Sequence, residues 1–202
     1  MAIKSKIDGN SRISLSDDQL FDQSTANAGG LDSTSGNTFV GYLAGQSVDA
    51  GTINNTFIGH GVGNASLSTA IGNVGVGADA LGALTQGDEN VAIGKDAGKA
   101  LLAGAENTIV GTAAGDALTS GGGNVIIGDG AGGTTTDVDS AVIIGRSAAA
   151  DGNMTSAADG TVLVGFEAGK ALTSGTGNVA VGYQSGNLIT TATNNTYVGY
   201  GA

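Results

Sequence analysis

The chain has 202 residues, among them 38 Gly, no Pro and no Cys, with 4% aromatic residues and a net charge of −11. The acidic balance disfavours nucleic acid, whose phosphates need a basic face. The lack of Cys excludes disulfides and thiolate metal sites, and no apolar run approaches the ~18 residues of a membrane-spanning helix.

High Gly without Pro or a three-residue period is not collagen. With 40% hydrophobic residues, and Val, Ile and Ala recurring in register, the chain does not read as disordered either. Those totals leave a thin, regular β stack.

Residues 1–36 stand outside any period. They carry three of the seven basic residues (Lys4, Lys6, Arg12) and a short apolar pattern, Ile3, Ile7, Ile13 and Leu15. Residues 22–36 are rich in Asn, Ser, Thr, Gly and Asp and read as a linker. The first residues lack the apolar core of a secretory signal. The functional expectation is a docking segment that orders on a larger assembly through Ile3, Lys4, Lys6, Ile7, Arg12, Ile13 and Leu15; the plainer one is a frayed tail.

Residues 37–202 are repetitive. An aliphatic–Gly pair recurs ten times, with Gly at 41, 59, 77, 94, 111, 128, 145, 165, 182 and 199, spaced 18, 18, 17, 17, 17, 17, 20, 17 and 17. A unit this short cannot bury its own apolar face, so the copies must stack. Counting from the Asn that usually opens each copy, position 2 is always Val or Thr, position 4 always Val or Ile, and position 5 Gly. Position 8 is small, position 9 usually Gly, and position 12 often Leu or Val. Positions 2 and 4 are β-branched and share one face of a short strand. Gly at position 5 permits a corner, Ala at position 8 and the aliphatic at position 12 fill the interior, and stacked Asn side chains form an amide ladder.

Position 3 points away from positions 2 and 4 yet is usually apolar. With positions 2 and 4 taken as inward, Phe39, Phe57, Ile109, Ile126, Ile143, Leu163 and Tyr197 form a stripe outside the coil. Such a stripe implies burial against another body, and the simplest one is a homotrimer of chains around a common axis. The competing arrangement is a single-chain coil with position 3 inside.

The runs Asn90-Val-Ala-Ile-Gly-Lys-Asp-Ala-Gly98 and Asn178-Val-Ala-Val-Gly-Tyr-Gln-Ser-Gly186 resemble the head repeats of trimeric autotransporter adhesins. They are also similar to Gly/Asn-rich repeats of tailed-phage fibres. The resemblance covers residues 37–202 and implies left-handed β-rolls associated in parallel threes. The period is longer here, and no signal peptide, coiled-coil stalk or membrane barrel is in view, which turns the expectation toward a virion protein. The opening segment also looks like the virion-attachment start of some phage structural proteins.

Chemistry is sparse. The lone His60 falls at position 6, where Tyr42, Ala78, Lys95 and Asp129 stand in other copies, so it reads as a solvated turn. Gly121-Gly-Gly-Asn124 lacks the Lys-Ser/Thr of a phosphate loop. Asp137-Val-Asp139 and Asp88-Glu89 lack the calcium-binding Gly-Gly-x-Gly-x-Asp pattern. Thr at four of ten copies of position 2 is a poor ice-binding array. Tyr42, Tyr183, Tyr197 and Tyr200 are candidates for glycan contact. The long interval from Gly145 to Gly165 is expected to bulge outward.

The expectation is an all-β, parallel stacked solenoid of ten ~17-residue repeats that forms a homotrimer. It is not an enzyme and holds no cofactor or metal. It serves as a structural protein of a phage virion, an extracellular particle: a fibre, spike or capsid decoration. Residues 1–36 meet other virion proteins, the roll reaches a host-surface glycan or protein, and neither nucleic acid nor membrane insertion is involved. A bacterial adhesin head is the alternative.

Overall fold

The structure is a computed structural model that describes strands Ser5–Asp8 and Asn10–Ile13, and then residues 36–49 and 51–202. The two N-terminal strands pair antiparallel, with Lys6 opposite Arg12 and Ile7 opposite Ser11. Ile3, Lys4, Leu15 and most of the expected linker lie outside the described residues.

The repetitive part is a β-solenoid. Ten three-residue strands form one parallel sheet in chain order: Thr38–Val40, Thr56–Ile58, Val74–Val76, Val91–Ile93, Thr108–Val110, Val125–Ile127, Val142–Ile144, Val162–Val164, Val179–Val181 and Thr196–Val198. Each is one rung, and ten rungs bound nine turns. The register never slips: Val125 pairs with Thr108 on one side and Val142 on the other, and position 3 always pairs with position 3. A second sheet of two short strands, Ser47–Val48 and Ser66–Leu67, covers the first turns.

The left-handed backbone explains the Gly pattern. At position 5, φ lies between 127° and 141° in all ten copies. In the nine copies that have a following turn, a Cβ would run into the carbonyl oxygen of the next turn's Gly, as Gly111 would meet Gly128, so those positions accept nothing larger. Position 7 is also left-handed, with φ from 50° to 64°, but there Leu43, Asp79, Asp96, Ala113 and Glu167 are accommodated. The milder αL well admits a side chain; the region near φ +135° does not.

Strand alternation runs opposite to the expectation. Position 3 is inward: Phe39 is 3% exposed, and Phe57, Ile109, Ile126, Ile143 and Leu163 are fully buried in the coil of their own chain. Tyr197 is partly buried against the same core. These residues therefore cannot form the outer stripe assigned to them. The physical reason lies at position 1. Its Asn is buried in the solenoid, and side chains two apart on a strand share a face, so an inward position 1 brings position 3 inward and turns positions 2 and 4 out.

The Asn column is a ladder. Asn107 donates through its backbone N (3.0 Å) and Nδ2 (2.9 Å) to Oδ1 of Asn90. Its Nδ2 also reaches across the coil to the carbonyl of Gly121 at 2.8 Å. The same geometry recurs at Asn73, Asn90 and Asn124. Each amide thus ties a strand to the rung before it and to the returning segment of its own turn.

Volume is exchanged locally inside this thin core. Phe57 stacks on Phe39 with ring centroids 5.3 Å apart. Gly75 leaves room beneath Phe57 and Val62, whose side chains its Cβ would strike. Where Ala141 replaces the ladder Asn, Val138 enters the core at a place held by Gly104 or Gly121 in earlier turns. The backbone half of the ladder survives there, because Ala141 N still donates to Asn124 Oδ1 at 2.9 Å. The long turn between Gly145 and Gly165 bulges less than expected. Asp151, Asn153, Ser156 and Ala157 are exposed, but Met154 and Ala158 are buried and a 3-10 turn spans Ser156–Ala158.

Candidate interaction face

The outward surface of the ten-stranded sheet is built by positions 2 and 4. Position 2 supplies Thr38, Thr56, Val74, Val91, Thr108, Val125, Val142, Val162, Val179 and Thr196; position 4 supplies Val40, Ile58, Val76, Ile93, Val110, Ile127, Ile144, Val164, Val181 and Val198. Every one is intermediate or exposed, with Ile58 at 40% and Ile93 at 41%. Sixteen of the twenty are Val or Ile, four are Thr, and none is charged. Rungs about 4.8 Å apart make the strip roughly 43 Å long. At ~10 Å wide it covers on the order of 400 Å², comparable with the largest apolar patch on an ordinary monomer, about 300–600 Å².

Two corners border the face. The exit corner follows Gly at position 5, and the entry corner comprises the residues just before position 1. All four basic residues of the solenoid, Lys95, Lys99, Arg146 and Lys170, lie on the exit side, at positions 6 and 10. Lys95 Nζ is 3.0 Å and Lys99 Nζ 2.9 Å from the Asp96 carboxylate. Those two ammonium groups, Lys99 first, hold the Asp96 carboxyl below its usual range. Lys170 at 2.7 Å and then Gln184 do the same for Glu167. Burial pushes the Asp116 carboxyl up.

The exit corner also carries a column of planar groups. Arg146 lies 4.7 Å over the Phe166 ring, Phe166 stacks on Tyr183 at 5.0 Å, and Tyr183 on Tyr200 at 4.9 Å. Tyr42 stacks on His60 at 5.5 Å, so the lone imidazole sits against a ring of the preceding turn. Because these rings cover one another's faces, they stabilise the corner along the coil axis and offer mainly edges to solvent. Tyr197 lies at position 3, against the core rather than on a corner.

The acidic pairs act within the chain. Asp139 Oδ1 accepts from Gly122 N, Asp137 Oδ1 from Ser120 Oγ, and Asp88 Oδ1 from Ile71 N. Among the described residues, no group of three or more His, Asp or Glu is placed to hold a metal ion, and no helix is long and apolar enough to cross a membrane. Lys6, Ile7, Arg12 and Ile13 are placed by backbone pairing in the N-terminal hairpin, which leaves their attachment role as an expectation. In comparisons with protein-family models, curated proteins and solved structures, nothing matches the chain.

Proposed function

We propose that this protein is a structural rod that self-associates through its β-branched sheet face, with three chains packed in parallel about a common axis. The carrying observation is the uninterrupted, uncharged face of positions 2 and 4 over ten rungs. A coil whose interior is already filled has no need of Val and Ile outside it. Thr, Ser or Lys would serve a solvated sheet equally well. Three narrow faces turned toward one axis close into a prism with no exposed apolar side. Continuous backbone pairing between turns makes each coil stiff along its length.

The biological setting that fits such a rod is a tailed-phage virion, as a trimeric fibre, spike or capsid decoration. The repeat resemblance supports that setting, and residues 1–36 would serve as its attachment segment. A bacterial adhesin head is the second reading; the aromatic column at Phe166, Tyr183 and Tyr200 favours it as an exposed recognition edge. Binding of the full chain to a glycan array would separate the two.

Native mass spectrometry of the full chain tests the assembly. Three chains of 19.3 kDa give about 58 kDa; a 19.3 kDa species at every concentration would refute the reading.

A further inference from the structure

An Asn at position 1 does more than join one rung to the next. In the turns opened by Asn73, Asn90, Asn107 and Asn124, its Nδ2 donates across the coil to a carbonyl fourteen residues on, at 2.6–2.8 Å. That bond fastens the returning segment of the turn to its strand and holds the core shut between them. Two successive turns lack it. The seventh opens with Ala141, which has no amide. The eighth opens with Thr161, whose hydroxyl turns back to Ala158 O, three residues earlier, at 2.6 Å. In that turn Gly175 O accepts from Asn178 Nδ2 at 2.6 Å, again a link over three residues. Both links stay on one side of the coil.

The seventh turn is also the longest, with 20 residues from Gly145 to Gly165. Its returning segment, residues 150–160, buries Met154 and Ala158. The bonds from this segment to the eighth turn are uneven. Asp151 N and Gly152 N share Lys170 O at 3.0 and 2.9 Å, but Thr155 N to Thr173 O and Gly177 N to Asp159 O are stretched to 3.4 Å. The matching bond of an uninterrupted turn, Thr119 N to Thr136 O, is 2.9 Å. The ion pair at the segment's edge, Lys170 with Asp151 at 3.6 Å, lies largely at the surface and adds little. In the adjoining sixth turn the buried Thr135 hydroxyl has no partner. Opening the segment lets water reach that hydroxyl, which lowers the cost of opening.

We infer that residues 150–160 are a flap that opens while the ten-stranded sheet stays paired, and that Met154 beneath it is the coil's site of oxidation. Met154 and Met1 are the only two methionines of the chain. The oxidant is a peroxide. The thioether sulfur attacks one peroxide oxygen, the O–O bond breaks, the sulfur becomes a sulfoxide, and hydrogen peroxide leaves as water. The sulfoxide is polar, so the flap closes less favourably over it and the open state gains population. This device belongs to a single coil and does not depend on association between chains.

The test is a comparison within the full chain. Leu118→Met sets a second thioether at a fully buried site whose turn keeps its cross-coil bond, from Asn107 to Gly121; the exchange nearly conserves volume. In dilute hydrogen peroxide, followed by peptide mass spectrometry, Met154 should oxidise at least about tenfold faster than the methionine introduced by Leu118→Met. Both side chains are closed to solvent in the folded coil, so only the frequency of opening separates them. In the unsubstituted chain, amides of residues 153–160 should exchange with deuterium faster than those of 119–124 by a similar factor. Equal oxidation rates would overturn the inference. So would equal exchange in the two segments, a result that stands even if Leu118→Met disturbs the core. A Met154 oxidation rate that climbs with denaturant as steeply as global unfolding would overturn it too.

Discussion

Asn90 Oδ1 accepts two hydrogen bonds from Asn107, one from the backbone N and one from the side-chain amide, and both residues are essentially buried. That pair is the repeating fastener of the fold. Asn107→Ala keeps the backbone donor, as Ala141 does naturally, but leaves the Gly121 carbonyl without its Nδ2 partner and takes from Asn124 N and Nδ2 the Oδ1 that accepts both. Stranding these buried groups should cost at least about 1–3 kcal/mol. A chemical-denaturation midpoint lowered by that amount, with the slope unchanged, is the expected result. An unchanged midpoint would mean the ladder is incidental.

Gly111→Ala and Gly130→Ala should differ sharply. Gly111 has φ 137°, and its Cβ would strike the Gly128 carbonyl, whereas Gly130 has φ 61° and open space around it. The first substitution should cost more than ~3 kcal/mol or prevent folding; the second should cost about 1 kcal/mol. Thermal melts of the two variants check this, and equal losses would contradict the backbone account.

Thr135 Oγ1 is a buried side-chain atom without a hydrogen-bond partner, at a place where Leu101 and Leu118 stand in the preceding turns. Thr135→Val replaces the hydroxyl with a methyl of similar shape. Removing an unsatisfied polar group should stabilise the coil by about 1 kcal/mol. A lower melting temperature in the variant would show that the hydroxyl has a role.

Repetition, strand count, the parallel stack and the amide ladder were all legible from the sequence, because a fixed period with invariant Gly leaves few other solutions. The phase of the strand was not. Positions 2, 3 and 4 are all apolar in most copies, so alternation alone cannot tell inside from outside. Two signals were present. Position 3 varies in size from Gly75 to Phe57, as jigsaw packing in a core demands, while positions 2 and 4 stay β-branched. Position 1 is an Asn that can be satisfied inside, which fixes position 3 on the same side. The outward columns were therefore assigned to the wrong positions: position 3 fills the core, and positions 2 and 4 face outward.

Stability should peak at mildly acidic pH. Asp116 has its folded-state pKa raised by burial, so the folded chain binds the proton more tightly and stability falls as pH rises through that window. Asp96 and Glu167 have theirs lowered by Lys99 and Lys170, so their contribution is complete above the unfolded carboxylate range and is lost as pH drops below ~4. Melting curves from pH 3 to 8 should show this dome, and Asp116→Asn should flatten its alkaline side. A midpoint rising steadily to pH 8 would contradict the assignment of Asp116, and one that does not fall below pH ~4 would contradict those of Asp96 and Glu167.

Because the chain has no Cys, single introduced thiols report burial cleanly. The decisive comparison is the labelling rate of Val110→Cys, on the outward column, beside that of Ser120→Cys, on an exposed turn away from the face. At micromolar concentration the Val110→Cys thiol should react far more slowly than Ser120→Cys and should recover full reactivity on dilution, as sister chains separate. Equal rates for the two thiols at every concentration would show the β-branched face open to water, and the account of an assembling rod would fall.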